Sequence, residues 1–293
     1  MHVFVTGASG WIGTALTPGL IDAGHQVTAL ARSDASADAL TAAGARVVRG
    51  SLDDLGTLRD AAAASDGVIH LAFKHDIAFS GGFAEASEAD HRAVEALGEA
   101  LAGSDRPLVI ASGLLGVATG RVTTERDRPE PTGRHATAEL TLGLAERGVR
   151  SSVVRLPPTT HGDGDNGFMT AIVATAREKG VSGYVGDGSS RWPAAHVLDA
   201  APVFRLALES APAGSVLHAT TEEGVPTRAI AEVIGRHLGV PTASVPPEEL
   251  GWLGPFLAMD SPASSALTQE LLDWHPTGPG LLDDLEKGHY FRG

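Results

Sequence analysis

The sequence contains no cysteine among its 293 residues, which excludes disulfides and thiolate metal sites. This absence also fits a reducing compartment. No apolar run reaches the roughly 18 residues needed to span a bilayer. The run over 169–176, for example, ends at Arg177. The N-terminus carries no basic leader and no cleavage pattern. These features predict a cytoplasmic protein with no membrane partner.

Basic residues are scarce: 22 Lys and Arg stand against 36 Asp and Glu, giving a formal net charge of −14. A nucleic-acid-binding protein needs basic surface to neutralise phosphates, so this balance argues against that class. Hydrophobic residues make up 43% of the chain and charged residues 20%, as in ordinary globular proteins. The length suits one large domain or two smaller ones. We therefore expect a globular protein whose partner is a small-molecule substrate.

Two hydrophobic periodicities alternate through the first half of the chain. Short apolar strands are predicted at 2–6, 27–31, 46–49, 67–72, 107–111 and 151–156. Helical patterns separate them at 11–23, 35–43, 54–64, 88–102 and 133–147. Such alternation indicates βαβ units on a parallel sheet with both faces covered. Beyond residue 156 the pattern is irregular, with helices predicted at 167–179, 198–209, 227–238 and 264–272 and a strand at 216–219.

A glycine-rich loop joins the first predicted strand to the first predicted helix. It reads Thr6-Gly7-Ala8-Ser9-Gly10-Trp11-Ile12-Gly13. Gly7 allows a tight turn, Gly10 lets the backbone approach a pyrophosphate, and Gly13 allows close packing of helix on strand. The helix N-terminus then offers N–H groups to the phosphates. We expect Gly7, Ser9, Gly10, Trp11, Ile12 and Gly13 to contact a dinucleotide; the alternative is a glycine-rich turn without a ligand.

The end of the second predicted strand selects the cofactor. NAD-binding folds usually carry a carboxylate there for the ribose hydroxyls. This chain has Arg32 and Ser33 instead. An arginine can pair with a 2′-phosphate, and the serine can add a hydrogen bond. The prediction is NADP(H), the alternative being an ordinary surface arginine.

These features predict an α/β fold, with a Rossmann-type doubly wound parallel sheet and a smaller C-terminal substrate-binding domain. Residues 1–156 form the NADP(H)-binding domain in this interpretation. Residues 157–293 form mainly the substrate domain, with some segments returning to the Rossmann core.

The motifs resemble those of extended or atypical short-chain dehydrogenase/reductases of the NAD-dependent epimerase/dehydratase-like kind. The resemblance rests on the Thr-Gly-x-x-Gly-x-x-Gly spacing and on segments 50–54, 69–72, 155–158 and 184–188. It implies further cofactor contacts from Ser51, Leu52, Leu71, Ala72, Phe73, Lys74 and Pro157. For Lys74 the alternative is a solvated surface charge. Residues 184–199 resemble the substrate-domain hairpin of sugar-nucleotide epimerases and dehydratases. The resemblance also implies that a homodimer is one of the assemblies to expect.

The catalytic residues of that superfamily are only partly present. The resemblance implies a serine or threonine after the fifth strand, which Ser112 supplies. It also implies a Tyr-x-x-x-Lys pair on the next helix, but those positions hold Pro131 and His135. We expect Ser112 to stabilise a developing oxyanion and His135 or Tyr184 to donate the proton. The alternatives are a structural strand-end hydroxyl, a helix-surface histidine and a tyrosine that belongs to the core or to the wall of the substrate site.

Two other groups of residues are candidates for binding. His161, Asp163 and Asp165 could hold a divalent ion, but this Gly-Asp-Gly-Asp loop is ordinary turn chemistry, so we predict no metal. The apolar residues Trp252, Phe256, Leu257 and Met259 could line a substrate pocket, and packing of the small domain is the favoured interpretation.

The leading functional prediction is an NADPH-dependent oxidoreductase that transfers hydride to a small organic carbonyl or related unsaturated group. The first alternative is a non-catalytic NADP(H)-binding redox sensor or regulator, because the usual Tyr and Lys are missing. A sugar-nucleotide epimerase or dehydratase ranks below both. The early substrate half offers few basic residues for a diphosphate beyond Arg177, Lys179 and Arg191.

Overall fold

The computed structural model describes residues 1–292, apart from the side chain of Phe79. These residues form two compact units. The first consists of Met1–Ser112, Glu130–Arg155 and Ala201–Leu217. The second consists of Gly113–Pro129, Leu156–Ala200 and His218–Gly293.

The strands, in chain order, are β1 His2–Thr6, β2 Gln26–Ala31, β3 Arg46–Arg49, β4 Gly67–His70, β5 Pro107–Gly113, β6 Arg150–Leu156, β7 Thr159–His161, β8 Ser182–Tyr184, β9 Arg191–His196, β10 Ser215–His218, β11 Glu222–Pro226 and β12 Thr242–Ser244. The α-helices are α1 Trp11–Asp22, α2 Asp34–Ala42, α3 Leu55–Ala63, α4 His75–Ile77, α5 Phe83–Leu101, α6 Arg134–Gly143, α7 Phe168–Lys179, α8 Val197–Ser210, α9 Thr227–Leu238, α10 Gly254–Leu257, α11 Ala266–Leu272 and α12 Leu281–Glu286. A π-helical turn spans Ala78–Gly82, and 3₁₀ turns span Leu144–Arg147, Pro247–Leu253 and His289–Phe291.

The first unit is built on a seven-stranded sheet in the order β10-β6-β5-β4-β1-β2-β3. Strand β1 pairs in parallel with β2 and β4, and the parallel pairing continues to β3 and β5. Its buried strands are nearly continuous in apolar residues because helices cover them. Phe4, Val68 and Leu108 are fully buried in one core cluster with Leu58 and Leu97 of α3 and α5. The predicted α/β fold with a Rossmann-type parallel sheet is confirmed.

The order of the strands reverses beside β1, because β2 follows on one side and β4 on the other. In open α/β sheets, ligands bind at the carboxyl ends of the strands at such a switch point. The first unit therefore presents the carboxyl ends of β1 and β4 as its ligand-binding edge.

Strand β4 and the segment after it differ from the sequence prediction. The strand ends at His70, which pairs with Thr6. Leu71 N still donates to Thr6 O, but Ala72 N donates to the side-chain hydroxyl of Thr6 and so leaves the backbone ladder. Helix α5 begins at Phe83, five residues earlier than expected, and the short helix α4 and the π-turn precede it. Gly81, with φ of 100°, interrupts the helical dihedrals there and hides the periodicity.

The second unit contains a three-stranded sheet, β11-β9-β7, and a two-stranded sheet, β12-β8. Strand β9 pairs antiparallel with β11 and parallel with β7, whereas β8 pairs in parallel with β12. The expected hairpin over β8 and β9 is therefore replaced by strands in separate sheets. Gly186 and Gly188, both at positive φ, turn the chain between them. The core includes the fully buried Trp192.

Segment 113–129, predicted from sequence to belong to the cofactor half, lies in the second unit. Thr123 bridges to Ala263, and its N–H donates to Pro262 O at 2.8 Å. The Glu125 carboxylate accepts hydrogen bonds from the N–H and hydroxyl of Thr268. These long-range bonds tie the segment to α11. Over residues 1–292, we find no helix with both the length and the apolar character needed to cross a membrane.

Candidate active site

The phosphate loop has the geometry that its glycines predict. Gly10 N donates to Gly7 O at 2.9 Å, which closes the turn between β1 and α1. Gly7 has φ of +70°, and a Cβ on it would lie 2.6 Å from Ala72 N. A Cβ on Gly13 would lie 2.3 Å from Gly7 O. Any side chain at 7 or 13 would therefore push the loop off the sheet or off the helix.

The N-terminus of α1 suits an anion. No described side chain caps the helix at Gly10, and the first turn of α1 contains no acidic residue. The partial positive charge of the helix end is thus left without an internal carboxylate. The loop and helix end fit the diphosphate of a dinucleotide.

A buried polar chain starts at this loop. Ala72 N donates to Thr6 Oγ1 at 3.3 Å, and Thr6 Oγ1 lies 2.9 Å from His70 Nδ1. His70 Nε2 lies 3.1 Å from Asp90 Oδ1 on α5, and none of the three residues is more than 2% exposed. An ionised carboxylate only accepts, so Nε2 carries the ring proton and Thr6 donates to Nδ1. The chain therefore links the phosphate loop to Asp90.

Asp90 is kept ionised by its neighbours. Burial raises the pKa of Asp90, but the hydrogen bond from His70 and the charge of Arg134 outweigh that effect. The net pKa lies below the usual value. Asp90 is therefore a buried negative charge facing the start of α6.

Arg134 opens α6 and was not among the residues predicted from sequence. Its Nη2 donates to Ala111 O of β5 at 2.8 Å, and its guanidinium lies over the Phe73 ring, 4.3 Å from the centroid. Burial lowers the pKa of Arg134, while the charge of Asp90 opposes that shift. Its Nε is buried and has no hydrogen-bond partner among the described residues. The family pattern for this helix directs attention only to positions 131 and 135, so the arginine between them was missed.

Ser112 follows Ala111 near the carboxyl end of β5. The residue is 2% exposed, and its Oγ is buried without a hydrogen-bond partner in the described part of the chain. The Arg134–Ala111 bond brings the start of α6 next to this serine. His135 is half-buried in the first turn of α6, and Pro131 is exposed ahead of it. One region of the first unit thus holds Ser112, Arg134 and His135.

The residues after β2 lie beside a second arginine that was not predicted from sequence. Arg32 is exposed and forms an ion pair with Asp76 at 3.7 Å. Ser33 caps α2, where its Oγ accepts from Ser36 N at 3.2 Å. Arg49, at the end of β3, donates to Ser33 O at 2.5 Å and to Asp34 Oδ1 at 2.7 Å. Its position beside β2 results from the strand pairing of Ala31 with Arg49, which sequence periodicity alone does not give.

The residues expected near the adenine and along the cofactor form local contacts. Asp54 Oδ2 accepts from Ser51 N at 2.7 Å and from Ser51 Oγ at 2.9 Å, and these bonds lower the pKa of Asp54. Lys74 Nζ lies 2.8 Å from both carboxylate oxygens of Asp53. The Lys74 side chain is 17% exposed, so it is held by Asp53 and is not a freely solvated charge. Leu52 is buried.

Tyr184 and Pro157 belong to the second unit. Tyr184 is half-buried, with the Arg228 guanidinium 5.7 Å from its ring centroid. Pro157 is buried, and its carbonyl accepts from Thr160 Oγ1 at 3.0 Å.

Arg191, one of the few basic residues available for a diphosphate, is held by Asp260. Its Nε and Nη2 donate to the two carboxylate oxygens at 2.9 and 2.8 Å, and its backbone N–H also donates to Asp260. A bidentate pair of this kind neutralises the guanidinium.

The loop considered for metal binding contacts the end of the chain. His161 Nδ1 lies 2.9 Å from Asp284 Oδ2, and Tyr290 donates to Asp165 Oδ2 at 2.9 Å. Burial raises the pKa of Asp165 above its usual value. The described contacts of His161 and Asp165 thus attach α12 and the turn after it to this loop.

The aromatic residues near the end of the second unit pack on one another. The ring centroid of Phe168 lies 5.6 Å from that of Trp192, and 5.5 Å from those of Trp252 and Phe256. Trp252 is nevertheless 46% exposed. The cluster therefore combines a packed interior with one exposed face.

Comparisons with known proteins place this chain in a family. The model of the "NAD dependent epimerase/dehydratase family" matches residues 3–219. The chain therefore belongs to that family, as the motifs predicted.

An uncharacterized protein of Schizosaccharomyces pombe is 45% identical over 298 aligned positions, covering 99% of this chain and 100% of the relative. The 4-hydroxy-2-methyl-3-oxo-4-farnesyl-3,4-dihydroquinoline-1-oxide ketoreductase of Stigmatella aurantiaca is 28% identical, covering 77% of this chain and 69% of its own. The structure of MoeE5 in complex with UDP-glucose and NAD has a TM-score of 0.76 at 23% identity, over 99% of this chain and 97% of that one. This structural similarity shows a shared fold.

Proposed function

We propose that the protein is an NADP(H)-dependent oxidoreductase that reduces the carbonyl, or a related unsaturated group, of a small organic molecule. The observation that carries the proposal is the buried, unpartnered Ser112 hydroxyl near the carboxyl end of β5. Ser112 lies on β5, two strands away from β1 in the same sheet, and the phosphate loop follows β1. Membership of the epimerase/dehydratase family and the similarity to a ketoreductase support the proposal.

The residues of the first unit fit a dinucleotide. The loop at 6–13 and the α1 N-terminus would hold the diphosphate, since no described side chain caps α1 at Gly10 and its first turn contains no acidic residue. Ser51 and Leu52 would border the adenine, and Leu71 to Lys74 would lie along the cofactor. Pro157 would follow the nicotinamide. When bound, the reduced nicotinamide supplies a hydride.

The preference for NADP(H) rests on two cations, one that follows β2 and one at the end of β3. Arg32 is exposed and is held only loosely by Asp76 at 3.7 Å. Arg49 adds a second positive charge next to Ser33. A guanidinium pairs well with a phosphate, so these residues would bind the 2′-phosphate that distinguishes NADPH.

Two side chains would handle the oxygen of the substrate. Ser112 would donate a hydrogen bond to it as negative charge develops. His135, in the first turn of α6, would donate the proton, and Tyr184 of the second unit is the alternative donor. His135→Gln and Tyr184→Phe separate these roles. Because a donor acts only while it is protonated, removal of the true donor should abolish the alkaline limb of the pH–rate profile, and removal of the other residue should leave that profile unchanged.

The test begins with calorimetry of NADPH and NADH, followed by stopped-flow oxidation of NADPH against ketones, aldehydes, imines and quinones. Ser112→Ala should lower turnover by about 10²-fold, the effect of one lost oxyanion donor. Ser152→Ala is the matched control, because Ser152 is also buried with an unpartnered hydroxyl but lies inside β6. Equal turnover of the two variants would remove Ser112 from the mechanism. A folded protein that binds NADPH and reduces nothing would overturn the oxidoreductase proposal.

A redox sensor is the second candidate, favoured by the exposed Pro131 at the position of the family's tyrosine. Such a protein would bind NADP⁺ and NADPH with different affinities and show no turnover. A sugar-nucleotide epimerase is less well supported, because the bidentate bond to Asp260 neutralises Arg191, one of the few cations available for a diphosphate.

A further inference from the structure

The guanidinium of Arg134 is fixed on several sides within the first unit. Nη2 is bonded to Ala111 O at 2.8 Å, the Phe73 ring covers one face at 4.3 Å, and the charge of Asp90 acts on it. A planar group held by a ring face and a carbonyl has little rotational freedom. The direction of its remaining N–H groups is therefore set before any ligand arrives.

One of those groups, the Nε–H, is buried and has no acceptor among the described residues. A buried donor on a charged group without an acceptor costs free energy, and native proteins rarely leave one. The Ser112 hydroxyl, one residue from the carbonyl that holds Arg134, is also buried and unpartnered. Two buried polar groups without partners among the described residues therefore lie near the junction of β5 and α6.

A purely structural role does not account for this arrangement. A neutral amide could donate the single bond to Ala111 O. The protein instead keeps a full positive charge there and maintains a buried counter-ion, Asp90, through the chain from Thr6 and His70. A compensated charge with an open donor is the arrangement expected of an oxyanion-binding group.

We propose that Arg134 is a catalytic residue whose Nε–H binds the substrate oxygen and stabilises the negative charge that develops on it. This inference rests on the proposed function and deepens it, because it assigns a fixed cation to a helix that lacks the family's tyrosine and lysine. The carbonyl carbon accepts the hydride, and the π electron pair of the C=O bond moves to oxygen. Arg134 and Ser112 hold that oxygen until His135 transfers a proton to it, and His135 then regains a proton from solvent.

The main experiment compares Arg134→Met and Arg134→Lys with Arg92→Met, an exposed arginine of α5 that pairs with Glu88. We expect Arg134→Met to lower kcat by about 10²- to 10³-fold. Arg134→Lys should lose at least about tenfold, because an ammonium lacks the planar fork. NADPH affinity should change by less than about threefold in all three, and added methylguanidinium should restore part of the Arg134→Met turnover. Turnover of Arg134→Met equal to that of Arg92→Met would overturn the inference.

A binding measurement separates this inference from the proposed function. Benzoate, titrated calorimetrically into NADP⁺-saturated protein, offers a carboxylate to Arg134 and a ring to Phe73. Wild-type protein and Ser112→Ala should bind benzoate, and Arg134→Met should not. If wild type reduces no carbonyl yet binds benzoate through Arg134, the proposed function fails and the oxyanion site stands. If wild type is active and Arg134→Met matches it in turnover and benzoate affinity, the inference fails alone. Should circular dichroism show that Arg134→Met is unfolded, Arg134→Lys carries both comparisons.

Discussion

Arg32→Ala removes the guanidinium that we propose binds the 2′-phosphate of NADPH. In the structure the Arg32 side chain is 73% exposed and lies 3.7 Å from Asp76, which is itself 64% exposed. Exposed ion pairs of this kind contribute about 0–1 kcal/mol. Arg32 therefore loses little free energy when a phosphate replaces Asp76 as its partner.

The expected magnitude depends on that exposure. Hydrogen bonds to charged groups contribute about 1.5–3 kcal/mol, and solvent screening at this site reduces the value to about 1–2 kcal/mol. Loss of Arg32 should therefore weaken NADPH binding by about 5- to 30-fold. Arg49 is held by Ser33 O and Asp34 and retains part of the attraction. NADH lacks the phosphate, so its affinity should not change.

The assay is calorimetric titration of NADPH and NADH at low and high salt. The NADPH penalty should shrink as salt rises, because salt screens exposed charges. Asp76→Asn is the reciprocal variant: it frees Arg32 and removes a nearby carboxylate, so NADPH should bind about twofold tighter. An equal loss of NADPH and NADH affinity in Arg32→Ala, or no loss at all, would refute the assignment of Arg32 to the 2′-phosphate.

Three further predictions concern stability and the loop. Gly7→Ala should weaken NADPH binding more than tenfold and lower the free energy of unfolding by about 2 kcal/mol. The reason is that Gly7 has φ of +70° and that a Cβ there would lie 2.6 Å from Ala72 N. The control Gly19→Ala, with open space around its Cβ, should not lower the stability of the protein. Burial raises the pKa of Asp284, but its hydrogen bonds outweigh this and bring the value from 3.8 to about 2. Its contribution of about 2 kcal/mol is then present above pH 4 and lost between about pH 4 and pH 2, so urea unfolding of Asp284→Asn should depend less on pH there than that of wild type. Asp90→Ala leaves the His70 Nε2–H without its acceptor and Arg134 without its buried counter-charge, and should cost about 3 kcal/mol in urea unfolding. A loss below about 1 kcal/mol contradicts the buried chain.

The sequence predicts the regular elements of the first unit well, because each buried strand and amphipathic helix carries its own hydrophobic period. β1 and β3 have the predicted bounds, and most neighbouring elements differ by one or two residues. The segment after β4 was missed because Gly81 breaks the helical period. In the second unit, β8 and β9 were expected to form a hairpin, but they take partners that are distant in sequence.

At the candidate site, too, local features could be predicted from the sequence and long-range contacts could not. The phosphate loop is contiguous, so its spacing alone predicts its geometry. Arg134 could not be found this way, since its significance depends on Ala111, Phe73 and Asp90, which lie on three other segments. The pairing of Thr6 with His70 likewise spans 64 residues and leaves no local pattern. Long-range hydrogen bonds are set by the packing of the sheet and helices and not by any period in the sequence.

The chain of Thr6, His70 and Asp90 has a consequence for how such sequences can change. His70 uses both ring nitrogens, one for the hydroxyl and one for the carboxylate, so its replacement leaves two buried groups unsatisfied at once. A single substitution at any of the three positions is therefore harmful, whereas a joint replacement by apolar residues of matching volume can be tolerated. The three positions should co-vary among related chains as a set. Position 134 should join that set, because an arginine there without Asp90 would be a buried charge with no counter-ion.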